Sequence, residues 1–188
     1  MKVLFRIVLL VLSFACPSFA ACNSICQQAF DFVVSHEDRH LTGVISREPL
    51  GGVARFGVNS RAHPEAVRDR FYRMSRVRAL AYAQRLFYSG YWVPMRCDDI
   101  RDTRLAMKVA DMAYSVGTGR ATKLLKHSVA EFGVDPDIDV MYSVNMFPAD
   151  GVEMILKYQI VDFYTRMARK HVACRRWKKV WLARAMEG

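Results

Sequence analysis

Apolar residues recur at three- and four-residue spacings along almost the whole chain, a period that predicts helices rather than strands. In 22–36, Cys22, Cys26, Ala29, Phe30 and Val33 fall on one helical face, and the helix they predict delivers Glu37 at its end. From Asp38 to His63 the period fails and Gly43, Pro49, Gly51, Gly52 and Gly57 accumulate before Pro64, which predicts a long loop or a short β-hairpin. Loops of that length in compact domains are usually functional. Pro64 suits a first helical position and opens a helix to about Arg73, and Ser75 is placed to cap the next one, to about Ser89. Leu105, Val109, Met112 and Val116 mark a helix over 103–116. Gly117-Thr118-Gly119 stops it and starts another that ends at Gly133. An acidic connector, 135–139, leads to a long helix over 148–171 and a closing segment over 177–185. The class this predicts is mainly α, one lobe around one core, with the loop or hairpin directly after the first helix.

The chain has 188 residues, but its first twenty belong to a different pattern. Lys2 and Arg6 flank the apolar run 7–15, which closes on Ser18-Phe19-Ala20, the form of a secretory signal with cleavage before Ala21. The run is short for a membrane-spanning helix. An uncleaved N-terminal anchor is one rival; a lipoprotein through Cys16 or Cys22 is a weaker one, since neither cysteine follows the expected leucine. Export predicts a periplasmic or secreted protein, and a monomer is expected. Loss of Lys2 and Arg6 lowers the formal charge of +10 to about +8. That charge favours anionic envelope polymers or lipid, and export argues against nucleic acid. The cationic runs 175–176 and 178–179, beside Trp177 and Trp181, fit a solvated helix face as readily as a binding patch.

Cys22, Cys26, Cys97 and Cys174 remain as an even set, consistent with disulfides in an oxidising compartment. Three pairings are open. With Cys22 and Cys26 one helical turn apart, the expectation is that they pair outward, one with Cys97 and one with Cys174. No cysteine or histidine spacing supports zinc. Asp135-x-Asp137-x-Asp139 imitates the start of a calcium loop, but Val140 and Met146 stand where glycine and glutamate are required, so no metal and no cofactor is expected.

A carboxyl at the end of a buried segment, followed by a glycine-rich loop, suits a glycosidase acid. Glu37, then Gly51-Gly52-Val53-Ala54-Arg55-Phe56-Gly57-Val58, then Tyr91-Trp92, then the 109–117 helix end with Asp111 and Gly117, and finally Val180-Trp181-Leu182-Ala183-Arg184 together resemble glycosyl hydrolase family 108, the phage and bacterial N-acetylmuramidases. The resemblance implies a lysozyme-like helical fold, peptidoglycan as substrate, a muramidase domain over 21–133 and a peptidoglycan-binding-like helical element over 134–188 packed on the same core. It makes Glu37 the acid. The chain departs from the family at Asp38-Arg39-His40, where Gly-Gly-Tyr is usual, and at Glu48 and Ala54, where an Asp and a Thr are usual.

Glycoside cleavage needs a second carboxyl, to attack or to activate water, and a separation of roughly 6.5–9.5 Å would give inversion. Glu48 is the first candidate and Asp38 the second. His40, Arg55, Asn59, Tyr91 and Trp92 are candidate substrate contacts, with His36 beside the acid and Ser60 an alternative to Asn59; aromatics at a helix end are more often core, and Asp111 reads as a buried structural acid. The substrate is expected in a cleft between the 38–63 loop and the C-terminal helices. The function this predicts is an exported N-acetylmuramidase. The rival is a catalytically inactive relative that binds the envelope or assists secretion, and a third reading is a basic membrane-perturbing helical protein.

Overall fold

A computed structural model describes residues 22–135 and 138–187. The signal pattern and part of the acidic connector, including Asp137, lie outside the described residues. The chain is mainly α. Helix α1 (Ser24–Glu37) is followed by three short strands, β1 (Ser46–Arg47), β2 (Val53–Arg55) and β3 (Val58–Asn59). Helices α2 (Pro64–Arg68), α3 (Arg76–Phe87), α4 (Thr103–Val116), α5 (Thr118–Ala130), α6 (Val140–Val144), α7 (Ala149–Lys170) and α8 (Lys178–Met186) come after.

The strands form one antiparallel sheet in the order β1-β2-β3, with Ser46 opposite Ala54 and Arg55 opposite Val58. The expected hairpin is therefore a three-stranded meander, and its glycines are its turns. Gly51 and Gly52 take φ of 96° and 89° between β1 and β2. Phe56 and Gly57 take φ of 49° and 78° between β2 and β3, the two-residue turn that matches strand twist. Phe56 is an unusual residue for that conformation, and burial of its ring offsets the strain.

Pro64 starts α2 as expected, but that helix stops at Arg68 and only a 3₁₀ turn over Phe71–Arg73 follows, because Arg70 adopts a left-handed φ of 57°. Ser75 occupies the cap position of α3 without a side-chain capping bond. After α3 the helix widens into a π turn, Tyr88–Trp92, with Val93 N–H bonding back to the Tyr88 carbonyl at 3.0 Å. The core gathers α1, α4, α5 and α7, with Val33, Phe87, Trp92, Leu105, Val109, Leu125 and Leu156 almost fully buried.

The outward pairing expected for Cys22 and Cys26 is wrong. These two cysteines form a disulfide with each other, their Cα atoms 5.4 Å apart, while Cys97 and Cys174 are buried free thiols. The expectation placed Cys22 inside the helix. In fact Asn23 is the N-cap, its side chain accepting from Cys26 N–H at 2.8 Å, and Cys22 lies before it on non-helical chain within disulfide reach. Burial pushes the Cys97 thiol up, which keeps it protonated and inert.

Candidate active site

The last residue of α1 is Glu37. The chain leaves the helix through Asp38, whose carboxylate accepts from Gly43 N–H at 2.6 Å and from the Thr42 hydroxyl at 3.0 Å. Burial would raise the Asp38 carboxyl, but these hydrogen bonds outweigh it and hold it below its ordinary range. Asp38 is thus a loop staple and lies outside the cleft lining. The β2–β3 turn then folds back onto Glu37. A Cβ on Gly57 would stand 2.5 Å from Tyr114 Cε1 and 2.7 Å from Glu37 Cγ, so only glycine lets the turn close here.

From the far end of the sequence, α8 brings Arg184 to the same place. Its guanidinium donates to Glu37 Oε1 through Nη1 and to Asp111 Oδ1 through Nη2 and Nε, at 2.7 and 3.0 Å. Burial disfavours the charge on Arg184, and Asp111 and Glu37 more than offset it, so its pKa rises. The buried Lys108 stands 3.9 Å from Asp111 Oδ2. Its ammonium donates to the backbone carbonyls of Arg184 at 3.1 Å and Glu187 at 2.6 Å. Lys108 therefore satisfies orphan carbonyls at the end of α8 and fixes the helix that carries Arg184. With Oε1 taken by a group that can only donate, Glu37 Oε2 has no hydrogen-bond partner among the described residues.

Above Glu37 lies a cleft of about 380 Å³. One wall is the meander, through Glu48, Pro49, Leu50, Gly57 and Asn59; the other is α7 and α8, through Tyr164, Met167, Trp181 and Arg184. Its end is closed by His63, Tyr91 and the C-terminal end of α4, Tyr114 to Val116, with its cap Gly117. Burial pushes the half-buried Glu48 carboxyl up and Glu37 adds to the rise, against a 3.3 Å bond from the Ser46 hydroxyl. His63 joins the Tyr91 hydroxyl at 2.6 Å to Glu65 at 2.8 Å. Burial, with Glu65 and Glu37 adding, pushes Tyr91 up to about 12, so it meets a ligand as a neutral phenol. Trp181 is half-buried at the cleft, and the buried Tyr164 ring backs it with ring centroids 5.2 Å apart.

Residues 30–117 match the family model described as Glycosyl hydrolase 108. That is the family the sequence resembles, and the match supports a glycoside hydrolase. The matched segment contains Glu37, Glu48 and the whole meander, and stops at the cleft's end wall. None of the curated proteins matches the chain. Among solved structures, one described as the structure of Brucella abortus SagA is similar, with a TM-score of 0.57 and 21% identity over 87% of this chain and 97% of that one. At that identity the likeness shows the fold.

Four of the residues singled out from sequence meet in the cleft: Glu37, Glu48, Asn59 and Tyr91. Three do not. Arg55 is buried, donating to the carbonyls of Gly43 at 2.8 Å, Met74 at 2.8 Å and Phe71 at 3.2 Å. It ties the sheet to the loop and to the 3₁₀ turn Phe71–Arg73 with its cap Met74, away from the cleft lining. Trp92 is core beside Phe87, because the π turn sends Tyr91 to the cleft and the next residue inward. His40 is exposed and lies outside the cleft lining. His36 instead holds Glu187 at 2.9 Å, and Ser60 accepts from Val53 N–H at 3.0 Å within the meander. Asp111 is the buried structural acid expected of it. Sequence reasoning missed His63, Glu65 and Lys108 and gave Arg184 no role. A lysine and an aspartate three apart on the apolar α4 were the available signal, since buried charges must be paired.

Proposed function

We propose that the protein is an exported N-acetylmuramidase that cleaves peptidoglycan glycan strands in this cleft. The observation that carries the reading is that Glu37 and Glu48, both inside the segment that matches a glycosidase family, face one aromatic-lined cleft. Arg184 holds one oxygen of Glu37 and thereby orients the other toward the cleft. In the proposed reaction Glu37 Oε2 gives a proton to the leaving glycosidic oxygen as the bond to the muramic acid anomeric carbon breaks. A water attacks that carbon from the opposite side, and Glu48 takes the proton that the water loses. A raised pKa makes Glu48 a stronger base than an ordinary surface glutamate. Tyr91, positioned by His63 and Glu65, and Asn59 bind sugar hydroxyls, and Trp181, backed by the buried Tyr164, stacks on a ring face. Export is supported by the signal pattern of residues 1–20 and agrees with the Cys22–Cys26 disulfide. The C-terminal helices, in this reading, hold the strand as well as complete the cleft.

The rival, an envelope-binding protein without activity, is favoured by one observation: Arg184 already occupies Glu37 Oε1. The test is release of muropeptides from purified peptidoglycan by the protein beside its Glu37→Gln variant. New reducing ends at muramic acid are expected, falling by about 10²–10⁴-fold in the variant with no change in folding. Absence of release by either protein, with retained sedimentation on the wall, would establish the rival.

A further inference from the structure

Between Asp162 and Glu187 the chain carries no acidic residue and eight lysines and arginines. Two of these are committed elsewhere, Arg166 to Asp162 and Arg184 to the active site. The other six, Arg169, Lys170, Arg175, Arg176, Lys178 and Lys179, form no ion pair among the described residues, and all but the half-buried Lys178 are exposed. Arg169, Arg175 and Lys178 converge on a shallow hollow of about 310 Å³ between α7 and the start of α8. Bringing unpaired cations together costs repulsion that a merely solvated helix face avoids by interspersing acids.

Three apolar side chains stand among these cations. Val172 is 71% exposed, Val180 59% and Trp177 37%, with Arg176 packed 5.3 Å from the centre of the Trp177 indole. A polyanion dissolved in water would neutralise the cations and leave these groups wet. A bilayer of anionic lipid takes both: phosphates meet the cations, and valine and tryptophan enter the interface, where tryptophan is favoured.

We propose that the 169–180 surface is a docking face for anionic phospholipid, with the hollow of Arg169, Arg175 and Lys178 receiving a headgroup phosphate. Charge and apolar anchor act together, as reversible membrane attachment requires. The face is separate from the cleft, so docking does not depend on the muramidase reading. Because Met167 and Trp181 of the same two helices line the cleft, docking holds it about one helix diameter, ~10 Å, from the bilayer.

The test is sedimentation of the full chain with vesicles of phosphatidylglycerol and phosphatidylcholine, beside vesicles of phosphatidylcholine alone. The comparison protein is the full chain carrying Arg175→Gln, Arg176→Gln and Lys179→Gln. The apolar N-terminus is common to both proteins and cancels in the comparison. The unsubstituted chain is expected to bind the anionic vesicles about 100-fold more tightly than the triple variant, to lose that advantage in high salt, and to show a Trp emission shift that Trp177→Ala reduces. Equal binding of both proteins to anionic vesicles would overturn the proposal. So would anionic-vesicle binding unaffected by Trp177→Ala, or binding to soluble phosphate polymer or DNA that free phosphatidylglycerol vesicles fail to compete.

Discussion

The two walls of the cleft are built on opposite physical plans. The meander wall is local: its chain reverses twice within fifteen residues, at Gly51-Gly52 and Phe56-Gly57, and its hydrogen bonds join near neighbours in sequence. The helical wall is remote, and 147 residues separate Arg184 from Glu37. It is held by charge, through Arg184, Asp111 and Lys108, rather than by backbone conformation. A local wall announces itself by residue type, since few residues tolerate a left-handed φ. A remote, charge-held wall leaves only an ordinary arginine on an ordinary helix.

Substitutions should separate the plans, and the largest effect belongs to the charged wall. Arg184→Met leaves Asp111 buried opposite Lys108 alone and is expected to cost about 3–5 kcal/mol by denaturant titration. Adding Asp111→Leu should restore part of that, whereas no second change should be needed if the network is solvated. On the local wall, Gly57→Ala combines a left-handed φ with contact on Tyr114 and Glu37 and should cost about 2–4 kcal/mol. Gly52→Ala, whose new Cβ meets only side chains at 3.0–3.1 Å, should cost less, read from the same melts. Removal of the disulfide through Cys22→Ser with Cys26→Ser, a short loop remote from both walls, should lower stability by about 2 kcal/mol and leave glycan cleavage unchanged.

The smallest effect is one of pH. Glu48 holds its proton to higher pH than a free glutamate, so the acid limb of cleavage should lie above the ordinary glutamate value and vanish in Glu48→Gln. Ser46→Ala, which removes the bond opposing that shift, should move the limb further up. The sign for stability is opposite in use. A carboxyl raised by folding favours the fold while protonated and loses that contribution as pH rises through its folded value, so Glu48→Gln should slightly stabilise the neutral protein.

What could be read from the sequence follows the same division. Helix α4 spans Thr103–Val116 and α7 Ala149–Lys170, close to the segments that apolar periodicity predicts: α7 buries one stripe, and α4, buried all round from Lys108 to Tyr114, is apolar along most of its length. Glu37, Glu48, Asn59 and Tyr91 were placed together by the loop and helix-end signals around them. Arg55 was misread because exposure is the rule for arginine in a loop; nothing local shows that three carbonyls surround it. Cys22 was misread by a single helical turn, the usual uncertainty of a helix boundary. Arg184 needed the packing of α8 on α4 and α7, which no spacing encodes.

The π turn at Tyr88–Trp92 bears on how such a cleft can change over generations. A helix accommodates one extra residue by widening a single turn, and here the widened turn sends Tyr91 to the cleft and Trp92 to the core. Gain or loss of one codon at Gly90 would therefore rotate the end wall by about 100° relative to α3 while the helix before it stays in register. Substrate preference in this scaffold can thus drift by changes of length as well as by changes of residue, provided the core accommodates the accompanying rotation of Trp92.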